Sequence, residues 1–86
     1  MNFEIIFSPK SYRQIKKLRI DVKKRINEAI LEIENNPFHK GTVKIESYNN
    51  IRRKRVGKYR ILYMIESEKK EVLIVKIELR SETTYR

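Results

Sequence analysis

The sequence predicts an α+β domain in which an antiparallel β-sheet carries an N-terminal helical hairpin on one face. Two segments with apolar residues at helical spacing follow a short alternating segment, and the second half of the chain has the alternation typical of strands. At 86 residues the chain has the length of one domain, so residues 1–86 are interpreted as a single unit. The expected element order is β-α-α-β-β-β-β.

The first strand and the start of the first helix lie next to each other in the sequence. Phe3, Ile5 and Phe7 fall on one side of an extended segment, which predicts a half-buried strand. Ser8 and Pro9 then predict a helix start, because Ser caps helix N-termini and Pro suits the first helical position.

A second helix is predicted almost directly after the first. The first helix is expected to end near Arg19, and Asp21 can cap the next one. Five residues form the apolar stripe of this second helix: Val22, Ile26, Ala29, Ile30 and Ile33. Pro37 ends the stripe, since Pro cannot continue a helix. The two nearly contiguous helices are therefore expected to form a hairpin.

The remaining segments are predicted to be strands. They are Thr42–Glu46, Ile51–Val56, Tyr59–Glu66 and Glu71–Leu79. Gly57 and Lys58 separate two of them and predict a tight β-hairpin turn. The last segment is apolar on both faces, which favours a central position in the sheet.

Cations are concentrated at one place in a basic chain. The net charge is +10, which favours a polyanionic partner, with nucleic acid first and an anionic membrane surface second. Six of the nine residues 52–60 are basic and none is acidic. This density predicts a sheet face that binds the phosphate backbone of a nucleic acid. Three of its cations are expected to bind RNA without taking part in any reaction: Arg52, Lys54 and Lys58.

Strand alternation predicts which arginines lie together. Arg53 and Arg55 share a face, and Arg60 begins the next strand near them. In the last strand the apolar parity is expected to face the helices, and it consists of Leu73, Val75, Ile77 and Leu79. The other parity ends at Arg80. Arg53, Arg55, Arg60 and Arg80 are therefore expected on one concave, cationic surface.

Several classes of protein are excluded by composition. The chain has no Cys, which excludes a disulfide scaffold and a Cys-ligated metal site. His39 is the only His, so a ribonuclease that uses a His pair is excluded, and His39 is interpreted as an exposed loop residue. Neither a metal site nor a cofactor is expected. No apolar run approaches the ~18 residues of a membrane span, and no signal-peptide pattern is present, so a soluble, cytoplasmic protein is expected.

The run R-x-R-V-G-x-Y-R-I-x-Y over residues 53–63 resembles the RelE/ParE superfamily of toxin–antitoxin toxins. The start of the chain at residues 3–8, the Asn36-Pro37 pair and the closing Arg80…Tyr85-Arg86 are similar as well, so the resemblance covers essentially the whole chain. It implies a toxin that is neutralised by a small RelB-like antitoxin. In the RelE branch the toxin enters the ribosomal A site and cleaves mRNA there, by attack of the ribose 2′-OH on the adjacent phosphate.

The resemblance also implies a catalytic set. Carried over by motif position, this set is Arg53, Arg55, Arg60, Arg80 and Tyr85. Arg60 matches the phosphate-binding Arg, Arg80 the late catalytic Arg and Tyr85 the C-terminal Tyr. The first two positions are Lys in the best-known RelE proteins, and Arg cannot act as a base as a desolvated Lys can. The general base is thereby left open among Tyr85, Glu82, Lys54 and Lys58.

Two alternatives to the nuclease remain open. A ParE-like toxin has the same fold but inhibits DNA gyrase by binding, and the presence of both Arg80 and Tyr85 favours the nuclease. A non-catalytic RNA- or ribosome-binding protein would show salt-dependent binding without cleavage.

Overall fold

The computed structural model describes residues 2–45 and 50–79. Its elements, in chain order, are β1 (Glu4–Phe7), α1 (Pro9–Lys16), α2 (Ile20–Asn35), β2 (Thr42–Lys44), β3 (Ile51–Val56), β4 (Tyr59–Glu66) and β5 (Glu71–Leu79). The predicted order β-α-α-β-β-β-β is confirmed, although β2 ends two residues earlier than expected. Of the helices in the described ranges, none is long and apolar enough to cross a membrane.

The strands form one five-stranded sheet in the order β1-β5-β4-β3-β2. The pairs β2–β3, β3–β4 and β4–β5 are antiparallel, as predicted. The pair β1–β5 is parallel, so the sheet is mixed rather than antiparallel throughout. This parallel pair joins the first and the last strand in chain order, with two helices and three strands between them along the chain. β5 is an interior strand paired with both β1 and β4, which confirms the prediction that it is not an edge strand, although β4 is the middle strand of the five.

The hydrophobic core lies between α2 and one face of the sheet. The stripe of α2 is buried as predicted at Ile26, Ala29, Ile30 and Ile33. It packs with alternating residues of β4, namely Ile61, Tyr63 and Ile65. Ile15 of α1 and Leu18, in the connection between α1 and α2, pack against the same cluster. Each fully buried Ile side chain contributes roughly 1.5–3 kcal/mol, so this layer supplies most of the stabilisation of the fold.

The helix starts differ in how well the sequence predicted them. Ser8 caps α1 as expected, with its Oγ accepting a hydrogen bond from the backbone N–H of Ser11 at 3.0 Å. α2 starts at Ile20, so Arg19 is its N-cap residue and the prediction of Asp21 as the cap is wrong. Asp21 instead lies in the first turn, 3.5 Å from the Arg19 guanidinium. A carboxylate in this turn still interacts favourably with the helix dipole.

A β-bulge in β5 changes which residues face the core. Lys76 pairs with Leu62 and Ile74 with Tyr63, so Val75 is an extra residue without a partner in the ladder. Before the bulge Val72 and Ile74 are buried, and after it Ile77 is buried. The prediction that Leu73 and Val75 face the helices is therefore wrong, whereas the same prediction for Ile77 is confirmed.

Candidate nucleic-acid interface

The β3–β4 hairpin places three of the predicted arginines on the sheet face that the helices leave open. Arg55 pairs directly with Arg60 across the hairpin, and Arg53 pairs with Leu62. The residue between the two β3 arginines, Lys54, pairs with the core residue Ile61 and so points to the other face. The predicted common face of Arg53, Arg55 and Arg60 is thus present.

The turn of this hairpin needs a glycine. Gly57 has a φ of +59°, a conformation that residues with a Cβ adopt only at a cost. A Cβ at this position would also lie 2.8 Å from Nη2 of Arg25, whose guanidinium comes from α2 and packs over the turn. The tight turn keeps Arg55 and Arg60 opposite each other, and it exposes Lys58 at the hairpin tip.

A cavity of about 330 Å³ lies on the open face beside the arginines. Its apolar lining comes from Ile45, Ile51, Leu62 and Val75. Its charged lining comes from Arg53, Arg60, Lys76 and Glu78. An apolar surface bordered by cations can contact a base or sugar while the cations bind phosphate, because guanidinium groups form paired hydrogen bonds with phosphate oxygens.

Arg60 is the most deeply placed charge of the cavity. The whole residue is only 3% exposed, and its direct cross-strand neighbours are Arg55 on β3 and Glu78 on β5. Glu78 in turn forms an ion pair with Lys76, with 2.9 Å between Oε2 and Nζ. Charges removed from water are less screened than exposed ones, so the Arg60 charge acts strongly on an anion in the cavity. The sequence analysis assigned no role to Lys76 or Glu78. Both alternate with Arg80 along the last strand, and this spacing is the signal that could have placed them on the same face.

Arg52 lies on the helix-covered face, away from this cavity. It pairs with Tyr63, and its Nη2 donates to Oγ1 of Thr42 at 2.8 Å. Its guanidinium also lies 5.5 Å from the centre of the Phe38 ring. RNA binding by Arg52 stays a prediction, but its side chain is not brought together with Arg53, because adjacent residues of a strand point to opposite faces.

Lys54 is held in a polar cluster on the same helix-covered face. Its Nζ lies 2.8 Å from Oε1 of Glu32 and 2.8 Å from Nε2 of His39. Nδ1 of His39 lies 2.8 Å from the carbonyl oxygen of Asn36, so Nδ1 is the protonated nitrogen and Nε2 accepts from Lys54. The hydrogen bond from Lys54, and then its positive charge, lower the pKa of the Glu32 carboxyl. Because Nζ of Lys54 is already engaged with two partners, it does not suit the role of general base.

This cluster corrects the interpretation of His39. The residue was expected to be an exposed loop side chain, yet only 22% of its side chain is exposed and it contacts both Lys54 and Glu32. Nothing in the spacing of these three residues along the chain indicates the contact, because a helix, a loop and a strand supply one each.

Three of the predicted site residues lie outside the described residues. They are Arg80, Glu82 and Tyr85, and their roles rest on the motif alone. In the part of the chain that the structure describes, no group of three or more His, Asp or Glu residues could hold a metal ion.

Comparison with known proteins identifies the family. The family model described as the ParE toxin of type II toxin–antitoxin system, parDE, matches residues 5–83. The chain belongs to this toxin family. The match places it in the RelE/ParE superfamily, as the resemblance of residues 53–63 implied. Among curated proteins, no sequence match was found.

Solved structures show the same fold. A chain of the archaeal RelE–RelB complex from Pyrococcus horikoshii is 20% identical, with a TM-score of 0.83 over 96% of this chain and 100% of that chain. A chain of the intact Escherichia coli RelBE toxin–antitoxin complex is 16% identical, with a TM-score of 0.81 over 98% of this chain and 99% of that chain. The YoeB dimer from Staphylococcus aureus is 19% identical, with a TM-score of 0.76 over 99% of this chain and 100% of that chain. The toxin therefore has a RelE-like fold.

Proposed function

We propose that this toxin is a ribosome-dependent endoribonuclease that cleaves mRNA in the ribosomal A site and so inhibits translation. The observation that carries the proposal is the shared face of Arg53, Arg55 and Arg60, beside a cavity with an apolar and a cationic lining. In the reaction the ribose 2′-oxygen attacks the adjacent phosphorus and the bond from phosphorus to the 5′-oxygen breaks. The products are a 2′,3′-cyclic phosphate and a 5′-hydroxyl.

The arginines supply the charge that this reaction needs. Negative charge grows on the phosphate oxygens in the transition state, and fixed cations aimed at them can provide the largest catalytic effect. Arg60 acts from within the cavity, and Arg80 completes the phosphate clamp by motif position. Arg53 and Arg55 bind the backbone and stabilise charge on the leaving oxygen. Tyr85 orients or deprotonates the 2′-OH, or stacks on a base.

A RelB-like antitoxin is the proposed protein partner. The Pyrococcus horikoshii and Escherichia coli structures are complexes of RelE with RelB, and the fold of this toxin matches theirs. The net charge of +10 favours a partner with an acidic segment, because complementary charge speeds association and sets orientation. The proposed site of action, the translating ribosome, lies in the cytoplasm.

Inhibition of DNA gyrase is the second candidate function. The observation that favours it is the matching family model, which describes a ParE toxin. In this case the cationic face binds its target without chemistry. Loss of any one arginine would then lower affinity, and no RNA cleavage would be seen with any variant.

Primer extension on a defined mRNA held on ribosomes separates the two candidates. Wild type, Arg53→Ala and Arg80→Ala are compared with Arg19→Ala, which removes an equal charge from an exposed position outside the lining of the cavity. We expect a cut in the A-site codon with wild type and Arg19→Ala, a large loss with the other two, and no cut in naked mRNA. No cut by wild type, together with inhibition of gyrase supercoiling, would move the assignment to the second candidate.

A further inference from the structure

Glu78 is an acidic residue in a site otherwise lined by cations and apolar groups. It lies on β5 directly opposite Arg60 of β4. Its side chain is 20% exposed and lines the cavity with Arg53, Lys76 and the apolar residues. A carboxylate in a phosphate-binding cavity repels the substrate, so a role in binding alone does not account for it.

Cleavage by the 2′-oxygen requires a proton acceptor next to the cations. Guanidinium groups stay protonated at any working pH, which excludes Arg53 and Arg60. Lys76 is an ammonium paired with a carboxylate, and the rest of the described lining is apolar. Glu78 thus supplies the one carboxylate in the described lining of the cavity, and a carboxylate is a common general base.

We propose that Glu78, rather than Tyr85, is the general base that removes the proton of the attacking 2′-OH, an inference that rests on the proposed ribonuclease function. Tyr85 then orients the 2′-OH or stacks on a base. The carboxylate takes the proton, and the electron pair of the broken O–H bond forms the new bond from the 2′-oxygen to phosphorus. The bond from phosphorus to the 5′-oxygen breaks, and the 5′-oxygen keeps that electron pair and takes a proton from water. Atoms and charge balance without a metal ion or a cofactor.

The neighbours of Glu78 fit this role. Directly opposed residues of antiparallel strands have Cβ atoms about 5 Å apart, so a phosphate held by Arg60 brings its ribose within reach of Glu78. The ion pair with Lys76 engages Oε2, and Oε1 is the oxygen we assign to the proton. Lys76 then acts as a positioning residue that fixes the carboxylate.

Single-turnover cleavage on mRNA-programmed ribosomes at saturating toxin tests the proposal. Glu78→Gln keeps the shape of the side chain but removes the carboxylate that takes the proton. Its cleavage rate should fall by roughly 10²–10⁴-fold, the range of general base catalysis, with no loss of affinity for ribosomes. Glu71→Gln is the matched control on the same strand outside the cavity, and it should cleave at the wild-type rate. Thermal unfolding of each variant checks that it is folded.

Chemical rescue separates a base from a structural residue. Glu78→Ala opens space for a small carboxylate, and added formate should restore part of its rate but none of the rate of Arg53→Ala. Glu78→Asp retains the carboxylate but moves it by more than 1 Å. Its cleavage rate should fall by the order of 10²-fold, because proton transfer requires the acceptor to lie close to the 2′-OH. This variant keeps the charge near Lys76 and tests the role if Glu78→Gln does not fold.

The outcomes distinguish this inference from the proposed function. Cleavage by wild type with undiminished rates for Glu78→Gln or Glu78→Asp overturns the role of Glu78 and leaves the nuclease intact. A slow Glu78→Gln with weakened ribosome binding and no formate rescue of Glu78→Ala also overturns it, in favour of a structural role. No cleavage by folded wild type overturns both.

Discussion

The side-chain hydroxyl group of Ser8 donates a hydrogen bond to the backbone carbonyl of Val75, with a distance of 2.7 Å between Oγ and O. The same oxygen accepts from the N–H of Ser11 at the start of α1. Val75 is the bulge residue of β5. One hydroxyl group therefore both caps α1 and binds the backbone of β5 at its bulge. The bulge turns Val75 toward the cavity, and Ser8 fixes it there.

Ser8→Ala is expected to destabilise the fold by roughly 1–3 kcal/mol, since it removes a helix cap and leaves the Val75 carbonyl without its partner. Urea unfolding measures the change. Ser67→Ala, in the exposed turn before β5, is the control and should change stability by less than about 0.5 kcal/mol. Equal stability of both variants would show that the Ser8 hydrogen bonds contribute nothing net.

Gly57→Ala is expected to destabilise the β3–β4 hairpin for two reasons. A Cβ at φ +59° costs about 1–2 kcal/mol, and it also displaces the Arg25 guanidinium. Gly41→Ala measures backbone strain without crowding, because Gly41 has a φ of +99°, further from the left-handed region than Gly57, and no described atom lies within 4 Å of the added Cβ. Urea unfolding should give a lower free energy of unfolding for both variants than for wild type, and an unchanged stability of Gly57→Ala would contradict the assigned strain.

A double variant isolates the contact with Arg25. If crowding adds to the strain, Arg25→Ala combined with Gly57→Ala should be more stable than the sum of the two single changes predicts. Strict additivity would assign the whole effect of Gly57→Ala to backbone strain.

Tyr63 is expected to stabilise the fold through its hydroxyl group as well as its ring. The O–H donates to the carbonyl of Pro37 at 2.6 Å in a buried position. Tyr63→Phe leaves this carbonyl unpaired and should cost about 1–3 kcal/mol. Tyr12→Phe, at an exposed position on α1, should be neutral in the same unfolding experiment.

The same hydroxyl makes stability depend on alkaline pH. Burial raises the pKa of Tyr63 above its ordinary value of 10.0. The folded state therefore keeps this proton where the unfolded state has lost it, so the contribution is complete below pH 10 and is lost as pH rises further. The stability difference between wild type and Tyr63→Phe should shrink above pH 10, and a constant difference would contradict the assignment.

Glu32 is expected to make a small contribution to the stability of the fold that is lost at acidic pH. The hydrogen bond from Lys54 holds the pKa of this carboxyl below its ordinary value of 4.5. A depressed pKa means that the stabilisation is present above pH 4.5 and is lost as pH falls through the lower value of the folded state. Because 63% of the Glu32 side chain is exposed, the effect should be no more than about 1 kcal/mol.

Unfolding of Glu32→Gln between pH 3 and pH 7 measures this effect, with Glu28→Gln on the same helix as the control. The difference between wild type and Glu32→Gln should decline below pH 4.5. A difference that stays level over the whole range would show that the Lys54 contact does not perturb Glu32.

The elements of the fold could be predicted because local signals agree with the tertiary structure. The Ser8-Pro9 start, the apolar stripe of α2 and the Gly57 turn each have a local physical cause. The bulge at Val75 could not be predicted, since residues 72–75 are all apolar and alternation therefore carries no parity signal there.

The candidate site was predictable in part for the same reason. The common face of Arg53, Arg55 and Arg60 follows from period-two alternation and a two-residue turn. The contact of Lys54 with His39 does not, because side chains that meet from a loop and a strand leave no periodic pattern. The position of Glu78 opposite Arg60 depends on the register between β4 and β5, and the bulge alters that register.

The interior position of β5 sets the order in which this toxin can form during its own synthesis. β5 pairs with both β1 and β4, so the first strand has no partner until residues 71–79 have left the exit tunnel of the ribosome. Such pairing between distant segments forms late, because a long loop must close before any contact compensates for its lost entropy. The β3–β4 hairpin that holds Arg53, Arg55 and Arg60 is a local structure and can form first, whereas the β1 edge of the sheet is completed last.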